Sequence, residues 1–198
     1  MHATPLLLRV STALVLTVAS VETLGPIVSP RGPLAPCPTH LVDDDASPRG
    51  AFRSLAGDFL VATEAMPDPT FAGTVLYVLA HDVDGALALV LNRPLSSSDG
   101  VPLHDGGPVG AESAVFLHST DRLADDSIVL EDGIALTVDG AAARAMLLST
   151  DSGTQAPRSM VFFAGYAGWG PLQLDGELRE GVWRTTTADA AQVFAAAR

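Results

Sequence analysis

The chain has 198 residues, and its 23 acidic residues against 11 basic ones give a formal net charge of −12. Hydrophobic residues make up 47% of the sequence, which excludes a wholly disordered chain and is ample for a core. Residues 51–198 carry 19 of the acids and 8 arginines, so the acidity belongs to the part predicted to fold. Clustered basic side chains drive nucleic-acid binding, so this balance disfavours such a partner.

Residues 1–50 predict no regular secondary structure, because six prolines and three glycines crowd residues 25–50. Arg9 and the apolar run from Val10 to Val21 resemble a secretory signal peptide, although twelve residues are too few for a membrane-spanning helix. We interpret residues 1–50 as a disordered leader or an over-called start codon, with a signal peptide or an organelle transit peptide as alternatives. Residues 51–198 are predicted to form a single domain.

Cys37 is the only cysteine of the chain, and it precedes the predicted domain. The sequence therefore excludes an internal disulfide and a cysteine zinc cluster. A cytoplasmic location is expected, with export as the alternative if residues 1–20 act as a signal peptide. No transmembrane segment, cofactor or metal is predicted.

From Gly57 onward, short apolar runs separated by turn residues predict strands. The expected strands lie at residues 59–62, 74–80, 86–91, 114–118, 128–130, 134–138 and 160–163. The second of these is apolar on both faces, which is typical of a central strand in a covered sheet. Residues 82–85 supply a turn to the third, so these two strands should form an antiparallel hairpin.

Helices are predicted in the second half of the chain. Asp139 is a suitable N-cap for a helix over residues 141–148. The glycine-rich run 165–170 is predicted to be a turn, followed by a helix that begins at Pro171 and exposes Glu177 and Glu180. With a last helix over residues 188–197, strands and interspersed helices indicate an α/β or α+β fold.

Three blocks of the sequence carry a family resemblance. The first contains GDFLVA from residue 57, MPDPTF from residue 66, TVLYVLAH from residue 74, GA from residue 85 and LNRP from residue 91. The second is GGPV from residue 106 with LH at 117–118, and the third is GYAGWGPLQL from residue 165 with EL at 177–178 and Trp183. In this order they resemble the bacterial YqgE/AlgH family over most of residues 57–183.

The resemblance implies an α/β fold with a curved or partly barrel-like mixed sheet and flanking helices, in proteins sometimes labelled transcriptional regulators. Ala88 stands where the family usually has glycine, and the link from Leu95 to Asp105 is shorter than the helical insert of many relatives. The C-terminus also stops where relatives usually continue into another helix. A shortened cover over the sheet would favour self-association, so a homo-oligomer is a further expectation.

Titratable side chains in these blocks could carry chemistry, and each has a structural alternative. His81 and His118 stand at predicted strand ends, where they and His104 could bind a metal or act as a general base. The alternative is a hydrogen-bonded histidine of the fold. Asp68 between two prolines could pair with a second carboxylate in catalysis, or cap a turn.

Backbone and arginine positions offer binding alternatives. Gly106 and Gly107 could form a phosphate loop, although the Lys-Ser/Thr pair of a P-loop is missing, and a tight turn is the alternative. Asn92 and Arg93 follow an apolar strand, so the guanidinium could bind an anion or pair with an acid of the protein.

Aromatic and polar positions of the third block offer a contact surface. Tyr166 and Trp169 could form it for a ligand or partner, or serve as buried anchors. Gln173 and Glu177 share a helix face and could extend either role. We expect the segment around Trp169 and the turn at Arg93 to lie close together.

These observations favour a non-catalytic role, in which the chain binds an unidentified protein or small ligand to regulate another process. A hydrolase or transferase that uses His81, Asp68 or His118 is the first alternative. A DNA-associated transcriptional regulator is the second.

Overall fold

A computed structural model describes residues 52–95, 101–130, 133–148 and 156–198, so the predicted leader lies outside the described residues. The described elements, in chain order, are β1 Asp58–Ala62, β2 Val75–Asp82, β3 Gly85–Val90, β4 Pro94–Leu95, β5 Leu103–Asp105, β6 Val109–Ser119, β7 Ile128–Val129, β8 Ile134–Thr137, α1 Gly140–Leu148, β9 Met160–Trp169, α2 Gln173–Arg179, β10 Trp183–Thr187 and α3 Ala190–Ala196. None of the helices in this described part has the length and hydropathy needed to cross a membrane.

The strands form one curled sheet that closes about half of a barrel. Its order is β10-β1-β2-β3-β9-β6-β8-β7, and every pair along this path is antiparallel. β5 pairs with β4 and, in parallel, with β9, which makes the sheet mixed. The predicted α/β fold with a curved mixed sheet and flanking helices is confirmed.

β2 and β3 form the predicted antiparallel hairpin, in which Asp82 pairs with Gly85. Asp82 Oδ1 accepts the N–H of Asp84 at 2.8 Å and closes the turn. Gly85 has a φ of 149°, and a Cβ added there would lie 2.4 Å from the carbonyl oxygen of Trp169. Glycine is required at this position because the backbones of β3 and β9 approach so closely.

Apolar side chains of β2 alternate between two cores, one on each face of the sheet. Tyr77 belongs to the first, which Phe194 of α3 helps to close. Leu76 and Val78 belong to the second, which Leu174 of α2 helps to close. The side chains of Leu76, Tyr77 and Val78 in β2 are buried, as is that of Leu174 in α2. The prediction that β2 is a covered central strand is therefore confirmed.

α1 begins as predicted at the Asp139 cap. Asp139 Oδ1 accepts the backbone N–H groups of Ala141 at 2.7 Å and Ala142 at 3.3 Å, which satisfies donors that the first helical turn leaves without a partner. α1 packs against β6 and β8. It therefore lies over strands other than β3 and β10, which α2 contacts.

The prediction of a turn at residues 165–170 is wrong, because β9 continues as a strand to Trp169. α2 also begins at Gln173 and not at Pro171, after Leu172 in the left-handed region with a φ of 55°. Glu177 is half-buried, so its predicted exposure is wrong as well, whereas Glu180 is exposed.

Three short strands, β4, β5 and β10, are absent from the strands that the sequence predicts. β4 and β5 contain two and three residues, too few for a visible alternation. β10 has one buried residue, Trp183, followed by four exposed polar ones, as expected for a strand at the end of a sheet.

Candidate functional site

Phe71, Trp169 and Trp183 pack together on the face of the sheet that α2 covers. The ring centroids of the two tryptophans are 6.1 Å apart in an edge arrangement, and Phe71 lies 6.2 Å from Trp169 and 5.7 Å from Trp183. Both indole N–H groups are donated to Oε2 of Glu177, at 2.9 Å from Trp169 and 2.7 Å from Trp183. We call these four side chains the tryptophan cluster.

Gln173 holds the carboxylate of Glu177 from one helical turn earlier. Its amide donates to Glu177 Oε1 at 3.0 Å, and its own Oε1 accepts the N–H of Gly170 at 3.1 Å. The predicted shared face of Gln173 and Glu177 is therefore present, with both carboxylate oxygens hydrogen-bonded. Trp169 is 7% exposed, which leaves little of its ring open to a partner.

Asp68 and Asn92 fix the loop that precedes β2. Asp68 Oδ1 accepts the N–H of Thr70 at 2.8 Å, which is the geometry of an Asx turn. Asn92 accepts the N–H of Val75 at 3.0 Å and donates to the carbonyl oxygen of Gly73 at 2.9 Å. Both side chains thus bind the backbone of their own protein.

Arg93 is engaged in the same loop. It donates to the carbonyl oxygen of Thr70, and its guanidinium lies 3.9 Å from the carboxylate of Asp105. The neighbouring residue, Phe71, packs on Trp169. The loop therefore connects the Arg93 turn with the tryptophan cluster.

Arg93 and Trp169 themselves lie at opposite ends of β3. Trp169 pairs with Ala86 near its start, whereas Arg93 follows its end. Within the described part of the chain, no hydrogen bond, ion pair or ring contact joins the two side chains.

His81 is buried at the end of β2. Its Nδ1 accepts the backbone N–H of Leu55 at 3.2 Å, and its Nε2 lies 3.4 Å from Asp175 Oδ2 on α2. The bond from Leu55 fixes the proton on Nε2, which can then be donated to the carboxylate. The ring of Phe52 packs on His81 at a centroid distance of 4.9 Å. His81 therefore connects the sheet to the segment that precedes β1 and also to α2.

His118 is fully buried on β6. Its Nε2 lies 3.1 Å from Thr137 Oγ1 and 3.4 Å from Ser127 Oγ, and its Nδ1 lies 3.1 Å from the carbonyl oxygen of Ser119. Both ring nitrogens are therefore occupied by groups of β6, β8 and the segment before β7.

His104 is buried on β5, where its ring packs on Phe163 at a centroid distance of 5.6 Å. Burial lowers the pKa of His104 below 6.5, and hydrogen bonding to backbone groups of Ala197 and Leu91 acts in the opposite direction. Among the described residues its Nδ1 has no hydrogen-bond partner. The three predicted histidines thus occupy separate strands, and no hydrogen bond connects them with one another or with Asp68.

Gly106 and Gly107 lie where β5 and β6 meet the middle of β9. A Cβ on Gly106 would lie 2.3 Å from the carbonyl oxygen of Gly165, and one on Gly107 would lie 2.4 Å from the carbonyl carbon of Tyr166. Gly107 and Gly165 also have positive φ values of 142° and 72°. This crossing of backbones explains the glycines of both motifs, and half-buried Tyr166 is part of it through its pairing with Val109.

A cavity of about 320 Å³ opens between α1 and the sheet. It is lined from α1 by Gly140, Arg144 and Leu147, which are spaced to share one helix face. The sheet contributes Ala111, Glu112, Ala114 and Phe116 of β6, Phe162 to Ala164 of β9 and Leu103 of β5, and Val101 lies just before β5. Ala114 and Phe116 alternate along β6 and project to the same face, whereas Glu112 lies just before them, where the pairing of β6 with β9 shifts register.

The residues predicted as a site do not line this cavity. Two sequence signals could have indicated it: Arg144 is a single charge in an alanine-rich helix, and Glu112 is a single charge at the start of the strand that carries Phe116. In the described part of the chain, no three His, Cys, Asp or Glu side chains converge as a metal-binding group.

Comparison with known proteins gives the family of this fold. An AlgH-like family model matches residues 59–198, which is more than half of the chain. The chain belongs to the AlgH-like family. The predicted resemblance is therefore confirmed, and the match includes the cavity, the tryptophan cluster and all three histidines.

Relatives in the AlgH-like family include a UPF0301 protein of Caulobacter vibrioides, 39% identical over 174 residues that cover 78% of this chain and 84% of that protein. A UPF0301 protein of Rhodospirillum rubrum is 37% identical over 157 residues, covering 71% of this chain and 79% of that protein. The solution structure of AlgH from Pseudomonas aeruginosa has a TM-score of 0.60 at 29% identity and covers 74% of this chain and 84% of that one. A Corynebacterium diphtheriae crystal structure, at 24% identity and a TM-score of 0.56 over 70% of this chain and 78% of that one, shares the fold.

Proposed function

We propose that this AlgH-like chain binds a small molecule without transforming it, and that the binding site is the cavity between α1 and the sheet. The observation that carries this proposal is the composition of the cavity wall, which is mostly apolar and contains two charged side chains, Glu112 and Arg144. Ligand pockets are commonly apolar clefts with a few polar groups that fix orientation, and a volume of about 320 Å³ suits a small metabolite.

The contacts of the titratable residues favour binding over catalysis. Both ring nitrogens of His81 and of His118 lie within hydrogen-bonding distance of groups of the protein, and Asp68 caps its own turn. A general base needs hydrogen-bond reach to a substrate proton, and none of these three residues lines the cavity. A hydrolase or transferase built on these three residues would therefore not use this cavity as its substrate site.

The charges of the folded part work against a direct DNA-binding role. Arg53, Arg93 and Arg158 each lie within 4.0 Å of an aspartate carboxylate, at 3.1, 3.9 and 3.8 Å. Paired arginines contribute less positive potential at a surface that already has more acids than bases. A regulatory role through a bound metabolite or partner protein is compatible with this charge.

Titration with indole tests the proposal, because indole is an uncharged aromatic probe that needs only an apolar cavity. We expect saturable binding in calorimetry, with amide shifts in ¹⁵N-labelled protein confined to α1, β6 and β9. Ala114→Leu, which adds bulk to the cavity wall, should weaken the affinity by about tenfold or more. Ala195→Leu on the exposed face of α3 makes the same change away from the cavity and should leave the affinity unaltered. Indole that fails to bind, or that binds both variants equally, would refute the proposed site.

A further inference from the structure

Two aromatic rings in contact with each other line the cavity. Phe116 and Phe162 are directly opposite each other in the β6–β9 register, and their ring centroids are 4.3 Å apart at an interplanar angle of 81°. Several of the surrounding residues are small: Ala114 lies two residues before Phe116, Ala164 lies two residues after Phe162, and a Cβ at Gly140 would lie 4.0 Å from Phe116 Cζ. These three short residues leave space beside the two rings, where another ring can pack edge-to-face or offset.

Two charged side chains of opposite sign line the same cavity. Glu112 is exposed on β6, where the strand pairing shifts register before Ala114, and Arg144 is exposed on α1, on the face that carries Gly140. Neither side chain forms a hydrogen bond or an ion pair with any residue that the structure describes, and they do not pair with each other. Arg53, Arg93 and Arg158, by contrast, all have aspartate partners.

This arrangement discriminates between ligand charges. A carboxylate drawn to the Arg144 guanidinium brings its charge near the Glu112 carboxylate, which opposes a simple anion. A simple cation is attracted by Glu112 and repelled by Arg144, and an uncharged ligand forms no ionic contact with either group. A ligand that carries both charges can satisfy both residues, with the guanidinium offering a two-pronged hydrogen bond to a carboxylate.

We propose that the cavity binds a small zwitterion with an aromatic body, such as an aromatic α-amino acid: its ring lies on Phe116 and Phe162, its carboxylate meets Arg144, and its ammonium meets Glu112. The size of the cavity, about 320 Å³, is at the lower end of the range for ligand pockets and fits this class better than a nucleotide. The inference rests on the proposed function, because it names the ligand of that same site.

Three compounds that share a phenyl ring test the charge requirement by calorimetry on the full chain. Phenylalanine carries both charges, 3-phenylpropionate lacks the ammonium, and phenethylamine lacks the carboxylate. We expect phenylalanine to bind about tenfold more tightly than either analogue, because each analogue leaves one charged side chain of the cavity without its partner. Nearly equal affinities for the three compounds would overturn the inference.

Two variants assign the charges to residues. Arg144→Gln should remove the advantage of phenylalanine over phenethylamine and keep its advantage over 3-phenylpropionate, and Glu112→Gln should do the opposite. Arg179→Gln and Glu180→Gln make the same charge changes at exposed positions at the end of α2, outside the cavity wall, and should leave all three affinities unaltered. Equal effects of the cavity variants and these controls would show that net charge alone matters, which would overturn the inference.

Indole separates failure of this inference from failure of the proposed function. If indole binds in the cavity and phenylalanine does not, the zwitterion assignment is wrong and the binding site stands. If neither compound binds, both the ligand class and the site are wrong.

Discussion

Trp183 donates its indole N–H to Glu177 Oε2 across 2.7 Å, which ties the first residue of β10 to the middle of α2. The same oxygen accepts the indole N–H of Trp169 on β9 at 2.9 Å. β9 and β10 are separated by three strands in the sheet order, so a single carboxylate on α2 joins distant parts of the curled sheet. This interaction makes Glu177 a structural residue.

Replacement of Glu177 by alanine should lower the free energy of unfolding by about 2–4 kcal/mol, because two largely buried indole donors lose their acceptor at about 1–3 kcal/mol each. Urea unfolding followed by circular dichroism measures this loss. Glu180→Ala, three residues further along the chain and exposed, serves as the control and should stay within about 0.5 kcal/mol of the parent protein. A Glu177→Ala protein as stable as the control would show that the two indoles find other acceptors.

Gly107 should not tolerate a side chain. Its φ of 142° is unfavourable for other residues, and a Cβ would lie 2.4 Å from the backbone of Tyr166. We expect Gly107→Ala to cost at least about 3 kcal/mol or to prevent folded protein from accumulating, as measured by urea unfolding or by soluble yield.

Gly176 supplies the matched control for this substitution. It lies within α2, and a Cβ added there would meet no atom within 4 Å. Gly176→Ala should therefore raise the stability by about 0.5–1 kcal/mol through helix propensity. Similar losses from both substitutions would contradict the backbone-contact explanation.

The parts of the fold that could be predicted from the sequence depend on neighbours along the chain. The β2–β3 hairpin follows from two apolar runs around a short turn, and the Asp139 cap is a local hydrogen bond. The glycines of residues 165–170 predict a turn because glycine allows conformational freedom, whereas in β9 Gly165 is needed for contact with Gly107, which is distant in sequence.

The candidate site was less predictable for the same reason. The cavity depends on how α1 lies over β6 and β9, and no local pattern determines that placement. Asn92 and Arg93 belong to the first family block, yet their side chains bind backbone groups of the loop before β2. These two residues of a family block therefore hold the loop, whereas the cavity-lining residues Glu112 and Arg144 are less conspicuous in the sequence.

Arg93→Ala tests whether this arginine is structural or binds ligand. The substitution removes a hydrogen bond to Thr70 and a long ion pair with Asp105, both partly exposed, so we expect a stability loss of about 1 kcal/mol. The affinity for indole should not change, because Arg93 does not line the cavity. If the stability of Arg93→Ala is unaltered and its affinity for indole is weaker, Arg93 belongs to the functional site.

His104 should make the stability of the fold depend on pH. Burial lowers its pKa in the folded state below the 6.5 of the free side chain, so as the pH falls the unfolded chain takes up the proton first. The unfolded state then binds more protons than the folded state, and the free energy of unfolding must fall with decreasing pH. This contribution is fully present above about pH 6.5 and is lost below it, with a slope of at most about 1.4 kcal/mol per pH unit.

His104→Phe keeps a ring against Phe163 and removes the titrating group, so the packing change it causes should be the same at every pH. Urea unfolding of both proteins from about pH 8 to about pH 5 should give a constant difference in stability at the alkaline end. Below about pH 6.5 the parent protein should weaken relative to the variant. A difference that stays constant over the whole range would mean that the folded protein protonates His104 as readily as the unfolded chain does.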